Sequence, residues 1–474
     1  MRKYLKFYID GQWVDPVGEL KTVNTVNPAT EEVSGTIALG SQADVDRAVK
    51  AARKAFASWS RTSREERVRV LERIQVEYQK RSADLGAAVT EEMGAPKGLA
   101  GGFHIGLGAG HLATAIDVLK NFKFEELRGQ TMFVKEPIGV CGMITPWNWP
   151  INQVTVKVFP ALATGCTVVL KPSQESHFSA QILAEIFDAA KVPPGVFNLI
   201  QGKGSVVGAA MASHPGIDMI SITGSESAGI EVARAAADTV KRVCQELGGK
   251  SANIVLDDAD FAKNVAKGVT GMMVNSGQTC SATSRMLVPK ARMSEAISVA
   301  RQAAAAVTVG DPTGDVAMGP VVSKAQYNSI QEYIRKGVDE GATLVAGGPG
   351  RPEGLNRGWF VKPTVFANAT NGMVIAREEI FGPVLVIIGY DNVEQAIEIA
   401  NDSEFGLAGN VAGADLEQAR AVARRIRAGW VSINDGFDFH AAFGGYKKSG
   451  NGREWGEFGF QEYLEVKSLL GYAP

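Results

Sequence analysis

The sequence predicts an α/β protein made of two successive parallel-sheet α/β series. Two observations carry this. From residue 138 short apolar segments of strand length alternate with longer amphipathic segments of helical length. Such βαβα order gives a parallel sheet covered by helices on both faces, with ligands at the carboxyl ends of the strands. After "ELGGKSANIVLDDAD" (246–260) a second series of the same kind begins. The chain's 474 residues, 45% hydrophobic and 21% charged, suffice for two or three domains with full cores.

The elements follow in order. "SREERVRVLERIQVEYQKRSADL" opens on Ser63 and Glu66 as a capping box and carries Val68, Leu71, Ile74 and Tyr78 down one face, so it reads as a helix. "IGVCGMIT" is a strand, 152–163 a helix, "CTVVLK" a strand and 179–190 a helix. "VFNLI", 205–213, "MISIT", 226–237 and "RVCQEL" continue the alternation. In the second series, strands are expected near 284–289, 361–366, 383–390, 407–412 and 429–434. "FEELRGQTMFVKEP" (124–137) and "EYLEVKSLLGYA" (462–473) alternate apolar and polar residues, as half-buried strands do.

Composition excludes several functions. A net charge of −2 with scattered charges does not indicate a nucleic-acid or anionic-membrane surface. The start, "MRKYLKFYIDGQWVD", has charges throughout and no apolar h-region, so no leader is expected, and no run has the length of a membrane span. Four cysteines without CxxC and five scattered histidines without HExxH point to reduced thiols in the cytoplasm and to no metal.

Three glycine-bearing stretches differ in weight. "GLGAG" (106–110) lies inside a helical stretch with no preceding strand, so it reads as close helix packing. "GKGSVVG" (202–208) follows a strand and opens a helix, one residue longer than a dinucleotide fingerprint. In "SITGSESAG" (221–229) a strand ends at Thr223, Gly224 gives the turn, and Ser225 starts a helix; this is either a plain N-cap or a phosphate site.

With "ITPWNWP" (144–150), "LKPSQ" (170–174), "QELGGKS" (245–251), "NSGQTC" (275–280) and "EEIFGPV" (378–384), these motifs resemble the aldehyde dehydrogenase superfamily in order and spacing. The resemblance runs from "VNPATEEV" (26–33) through "FGGYKKSGNGRE" (443–454) to the end. It implies two Rossmann-like domains, a cofactor domain (1–117 and 138–248) and a catalytic domain (249–460). It also implies a bridging hairpin with a C-terminal strand (118–137 and 461–474) that assembles a homo-oligomer, dimer or tetramer. A terminal strand left bare is a liability unless another subunit covers it.

The implied reaction oxidises a small-molecule aldehyde to the acid with a nicotinamide cofactor. A thiolate adds to the carbonyl, and the resulting thioester is hydrolysed. Cys280 resembles the nucleophile, kept accessible by small neighbours; Cys141, Cys166 and Cys244 lie in apolar strands and read as core. Glu246 resembles the general base, with a salt bridge to Lys250 as the alternative reading. Asn148, with the Cys280 N–H, resembles the oxyanion hole.

For the cofactor, the resemblance implies Lys171 at the adenosine ribose, Gly224 and Ser225 at the pyrophosphate, and Glu379 at the nicotinamide ribose. Phe381 and Trp147 would flank the nicotinamide channel, with Ile144, Thr145, Pro146, Gly204, Gly208, Thr223 and Leu247 completing the contacts. Glu454 with Lys157 is implied as a proton relay. One position departs from the pattern: the family's usual glutamate is here Gln174. NAD is therefore expected, with NADP use admitted. The substrate tunnel would be lined by Trp149, Asn152, Gln153 and Val156. The loop "NDGFDFHAAF" (434–443) would close its mouth with Phe437, Phe439, His440 and Phe443. No Arg or Lys in those segments awaits a carboxylate. A CoA-acylating relative would need no Glu246, and a cysteine hydrolase would need a histidine in the motifs, which hold none.

Overall fold

The computed structural model describes residues 1–473; Pro474, the last residue of the expected C-terminal segment, lies outside them. The first series forms the middle of an eight-stranded sheet. Its five central strands are mutually parallel: Arg242–Glu246, Met219–Thr223, Val140–Ile144, Thr167–Lys171 and Phe197–Leu199, in that spatial order. Val140–Ile144, Thr167–Lys171 and Met219–Thr223 are buried at every residue, as strands covered on both faces must be, which is why they read as continuous apolar runs. Chain order reverses between Val140–Ile144 and Met219–Thr223. A crevice opens beyond the carboxyl ends of strands at such a reversal.

Between Val140–Ile144 and Thr167–Lys171 the chain forms the helix Pro150–Thr164, buried along its whole length. Proline at its first position supplies a suitable φ where no N–H partner is needed, and Gly165 ends it at φ +100°. The helix Arg64–Lys80 is capped by Ser63, whose hydroxyl accepts from the Glu66 N–H at 3.1 Å, and it buries Val68, Leu71, Ile74 and Tyr78. "GLGAG" lies within the helix Ile105–Asn121, and a Cβ at Gly108 would come within 2.3 Å of the Tyr78 hydroxyl. Gly108 serves close helix packing, Gly110 leaves room for the Phe439 ring, and a Cβ at Gly106 would meet nothing within 4 Å.

The second series forms a seven-stranded sheet ordered Thr343–Ala346, Thr364–Ala367, Val384–Tyr390, Arg285–Pro289, Ala252–Val255, Ala408–Ala412 and Trp430–Ile433. All neighbours are parallel except the first pair. The chain then crosses back. Gly450–Asn451 pairs antiparallel with Arg242–Glu246, setting Gly450 beside Glu246. Gly450 lies at φ +111°, and a Cβ there would fall 2.0 Å from the Gln245 carbonyl oxygen, so only glycine fits.

Glu125–Arg128, Thr131–Pro137 and Leu464–Leu469 form a separate antiparallel three-stranded sheet, with Val466, Leu470 and Tyr472 exposed. Sequence periodicity misses the amino-terminal strands Arg2–Tyr4, Phe7–Ile9, Gln12–Val14, Lys21–Val26 and Val33–Leu39. Three of them span three residues each, too short for a period to show, and Phe7–Ile9 and Gln12–Val14 exist as an edge of the first sheet. Among the described residues no helix is long and apolar enough to cross a membrane.

Candidate active site

The stretch "NSGQTC" is bare of large apolar residues because it is held by polar contacts rather than by packing. After the helix Phe261–Met273, Asn275, Ser276 and Gly277 run left-handed at φ 55°, 55° and +70°. Two non-glycine residues in that region cost roughly 1–3 kcal/mol each unless surrounding contacts fix them. Ser276 Oγ donates to the Gly319 carbonyl at 2.9 Å, and Asn275 Nδ2 donates to the Asn148 carbonyl at 2.8 Å. Gln278 Nε2 donates to the Asn275 carbonyl at 3.1 Å, while its Oε1 accepts from the Val322 N–H at 2.9 Å. Gly277 passes so close to Gly382 that a Cβ would meet its carbonyl oxygen at 2.1 Å.

Cys280 emerges from this loop half-buried, packed beside a small cluster of Val156, Leu407, Ala408, Phe443 and Trp455. Burial pushes its thiol upward, and the carboxylates of Glu379 and Glu246 add to the rise. The other three thiols are buried; Cys166 Sγ donates to the Tyr463 carbonyl at 3.3 Å and Cys244 Sγ to Glu462 Oε2 at 3.3 Å. They belong to the core.

Asn148 reaches the loop from the first series. Its Nδ2 donates to the Gln278 carbonyl at 3.1 Å, two residues before Cys280, leaving one of the two amide hydrogens free. Trp149 adds a second tie, its Nε1 donating to Thr279 Oγ1 at 3.0 Å.

Glu246 ends its strand buried, and neither carboxylate oxygen finds a partner. Burial holds its pKa well above the carboxylate range, and the neighbouring Glu454 carboxylate raises it further against the pull of Lys157 and Arg453. It makes no ion pair with Lys250, whose Nζ is itself unpartnered. Glu454 is ion-paired to the buried Lys157, which also donates to Ser221 Oγ at 3.0 Å.

Two cavities flank the segment that carries Cys280. The first, about 260 Å³, opens at the strand-order reversal, and Cys280 itself lines it. It brings together Pro146, Trp147 and Asn148, then Thr223, Gly224, Ser225 and Leu247, and across from them Glu379 and Phe381. Gly248 and Gln326 also line it, and the sequence reading missed both. Gln326 Nε2 donates to the Phe381 carbonyl at 2.9 Å and so holds that residue at its unusual φ of 55°. The Trp147 and Phe381 rings meet edge to face at 5.4 Å.

Glu379 lies against the glycine pair: its Oε1 accepts from the Gly249 N–H at 3.0 Å, and a Cβ at Gly248 would stand 2.4 Å from its Oε2. Burial raises Glu379 to about 7. Ser225 is a real N-cap, its hydroxyl accepting from the Ala228 N–H at 3.3 Å, and the eleven-residue helix Glu226–Ala236 starts at the cavity wall. The buried Thr223 Oγ1 has no partner.

The remaining cofactor candidates do not line this cavity. Ile144 pairs in register with Lys171, and a Cβ at Gly208 would lie 3.8 Å from a side-chain carbon of each. Thr145 is buried with its hydroxyl unpartnered, space is open around Gly204, and Gln174 is half-buried. Lys171 Nζ donates to the Pro172 carbonyl at 3.0 Å, and burial lowers the ammonium to about 8.

The second cavity, about 520 Å³, is lined by Thr279 and Ser281, the two neighbours of Cys280, and by Trp149 and Phe437 of the expected substrate residues. Phe103 and Trp430 complete its aromatic wall, and sequence order gave no signal for either. Phe443 and Val156 belong instead to the cluster beside the thiol. Asn152 Oδ1 is taken by His111 Nε2 at 2.6 Å, and Phe439 packs edge-on to the same histidine at 5.3 Å. Gln153 is buried with its Oε1 unpartnered, and His440 stands 3.9 Å from Asp117. These four do not line the cavity. Among the described residues no group of three or more His, Cys, Asp or Glu is arranged to hold a metal ion.

Comparison with known proteins bears on this geometry. A family profile described as "Aldehyde dehydrogenase family" matches residues 13–469. A 3-succinoylsemialdehyde-pyridine dehydrogenase from a Pseudomonas species is 53% identical over 475 residues, spanning 100% of this chain and 99% of that one. Among solved structures, a cysteine-to-alanine mutant of aldehyde dehydrogenase C from Pseudomonas syringae, in complex with NAD+ and octanal, superposes with a TM-score of 0.98. It is 53% identical, with 99% of this chain and 97% of that one covered. A Mycobacterium tuberculosis aldehyde dehydrogenase complexed with NAD+ gives a TM-score of 0.96 at 40% identity, with 99% and 98% covered.

Proposed function

Since the chain belongs to the aldehyde dehydrogenase family, we propose that it oxidises an aldehyde to the carboxylic acid with NAD, through Cys280 as nucleophile. The observation that carries this reading is the position of Cys280, which lines one cavity while its two chain neighbours line the other. A thiol so placed would meet a carbonyl carbon brought in from the second cavity while a hydride acceptor occupies the first.

The first cavity suits NAD. The exposed amides at the start of Glu226–Ala236 favour a pyrophosphate, and the unpartnered Thr223 hydroxyl adds a polar contact. Glu379 offers an acceptor for ribose hydroxyls, and Trp147 with Phe381 offers flat walls for a ring. Lys171 and Gln174 would serve the adenosine end. When bound, NAD supplies the acceptor for the aldehyde hydride.

The chain's own residues do the rest. Cys280 Sγ bonds to the carbonyl carbon as its proton passes to Glu246. Asn148 Nδ2 and the Cys280 N–H donate to the developing oxyanion. Loss of the hydride leaves an acyl thioester on Cys280. Water, deprotonated by Glu246, adds to that thioester; the carbon–sulfur bond breaks and Cys280 is restored. The Glu454–Lys157 pair, buried beside Glu246, carries the proton onward.

The same reading divides the chain into a cofactor-binding domain (1–117 and 138–248), a catalytic domain (249–460) and a bridging segment (118–137 and 461–474), with Gly450–Asn451 of the second joining the sheet of the first. The exposed Val466, Leu470 and Tyr472 on the bridging segment favour a second copy as cover, hence a homo-oligomer. The cytoplasm is the compartment that four free thiols suit.

The test is to mix the protein with NAD and an aldehyde panel, with and without CoA, and to follow reduced-cofactor absorbance. Turnover without CoA is expected. Turnover only with CoA, or none, would overturn the hydrolytic reading.

A further inference from the structure

The helix Glu226–Ala236 starts at the wall of the 260 Å³ cavity, which Thr223, Gly224 and Ser225 line. It is thinly packed: of its eleven residues only Gly229, Val232 and Ala236 are buried. A helix is placed mainly by its apolar face, and one this narrow needs a further tie to fix where its first turn points. Gln245, the buried residue before Glu246, supplies that tie. Successive side chains of a strand point to opposite faces, so Gln245 turns toward the helix where Glu246 turns away. Its Nε2 donates to the Gly229 carbonyl at 2.7 Å. A Cβ at Gly229 would lie 2.6 Å from a Leu247 methyl and 3.2 Å from Gln245 Nε2, so glycine is what lets the helix come this close.

The Gln245 amide can face only one way. Gly229 offers a carbonyl, which only accepts, so the nitrogen must point at the helix and the oxygen away from it. That oxygen accepts from Asn451 Nδ2 at 2.9 Å. Asn451 belongs to the strand that crosses back from the second series, where it pairs in register with Gln245. The Lys448–Glu226 ion pair, at 3.3 Å, also reaches this helix, but both side chains are partly exposed and so hold it weakly.

We propose that Gln245 is a positioning residue for the coenzyme. Gripping the fourth residue of the helix, it fixes the direction in which the first-turn amides meet the pyrophosphate. Asn451 holds the Gln245 amide in the orientation that does this. Neither residue lines the cavity, so both act on the coenzyme through the helix. This assignment rests on the dehydrogenase reading and adds to it a determinant of coenzyme affinity.

The experiment measures the Kd for NAD by titration calorimetry in wild type, Gln245→Met, Asn451→Ala and the double variant. Alongside it run kcat at saturating NAD and the NAD-free hydrolysis of p-nitrophenyl acetate, which needs Cys280, Asn148 and Glu246 but no coenzyme. Gln245→Met keeps the volume and loses the donor, so its Kd should rise by about five- to ten-fold, the worth of one neutral hydrogen bond. Asn451→Ala should raise Kd less, and the double variant should be no worse than Gln245→Met, because both act through one amide. In every variant kcat and ester hydrolysis should stay within about two-fold of wild type. The exposed Asn451→Ala carries the test should Gln245→Met fail to fold. An unchanged Kd, fully additive losses in the double variant, or ester hydrolysis falling in step with NAD affinity would overturn the assignment. A wild type that hydrolyses the ester but neither binds NAD nor oxidises any aldehyde would overturn the dehydrogenase reading instead.

Discussion

Asn148 and Gln278 are joined by a 3.1 Å hydrogen bond from the Asn148 side-chain amide to the Gln278 carbonyl, so the first series grips the nucleophile loop two residues before Cys280. One amide hydrogen anchors the loop and the other is free for an oxyanion. Asn148→Ala should therefore lower kcat by on the order of 10²-fold, as removal of one oxyanion donor does, and also loosen the loop. Steady-state kinetics check it; a loss under about three-fold would take Asn148 out of the site.

Cys280→Ala should abolish dehydrogenase turnover while NAD binding, measured by titration calorimetry, stays near that of wild type. The other cavity residues do not depend on the thiol for their positions. Residual turnover above background would point to another nucleophile.

The pH profile follows from two groups displaced in the same direction. Burial and nearby carboxylates raise the Cys280 thiol, and burial together with Glu454 raises Glu246. A raised thiol is neutral at pH 7 and yields more thiolate as pH climbs; a raised carboxylic acid becomes a base only as pH climbs. Hence kcat/KM should rise steadily from pH 6 to alkaline pH, and less steeply in Glu246→Gln. A flat profile would contradict both shifts.

Glu379 sits near 7 and needs its carboxylate to accept ribose hydroxyls. The affinity for NAD should strengthen as pH rises through about 7, and this inflection should vanish in Glu379→Gln. Gly248→Ala places a methyl 2.4 Å from Glu379 Oε2 and should displace that carboxylate, raising the Kd for NAD by about ten-fold with little change in melting temperature. Titration calorimetry across pH measures both.

Gln174 replaces a charged acceptor with a neutral one, so NADP meets less repulsion. Gln174→Glu should raise the ratio of kcat/KM for NAD over NADP by roughly ten- to hundred-fold, the worth of a charge-assisted hydrogen bond. An unchanged ratio would remove this residue from coenzyme choice.

Much of this was legible because the site is written in backbone demands. Gly224 after a strand and before Ser225, and a bare "NSGQTC", declare turns and close approaches that few sequences meet by chance. The parallel strands were legible because both faces are buried, which forces unbroken apolar runs such as Met219–Thr223. The amino-terminal strands Arg2–Tyr4, Phe7–Ile9 and Gln12–Val14 were not, since three-residue segments carry no period. Nor were Phe103, Trp430 and Gln326, each brought to its cavity by tertiary packing from a distant element. Asn152 and Phe439 were read as tunnel-lining from their neighbours in sequence, but His111, on another helix, engages both.

The central claim is that Cys280 carries the acyl group between oxidation and hydrolysis. In Glu246→Gln the Cys280 proton can still leave to solvent, so the first hydride transfer should proceed at a reduced rate, while hydrolysis, left without a base for its water, stalls and the acyl-enzyme accumulates. Mass spectrometry of that variant, mixed with NAD and excess heptanal and digested at acid pH, measures this directly. The account predicts one heptanoyl group per chain on the peptide containing Cys280, formed in step with a burst of reduced cofactor. A burst without the adduct, or an adduct on Cys141, Cys166 or Cys244, would contradict it.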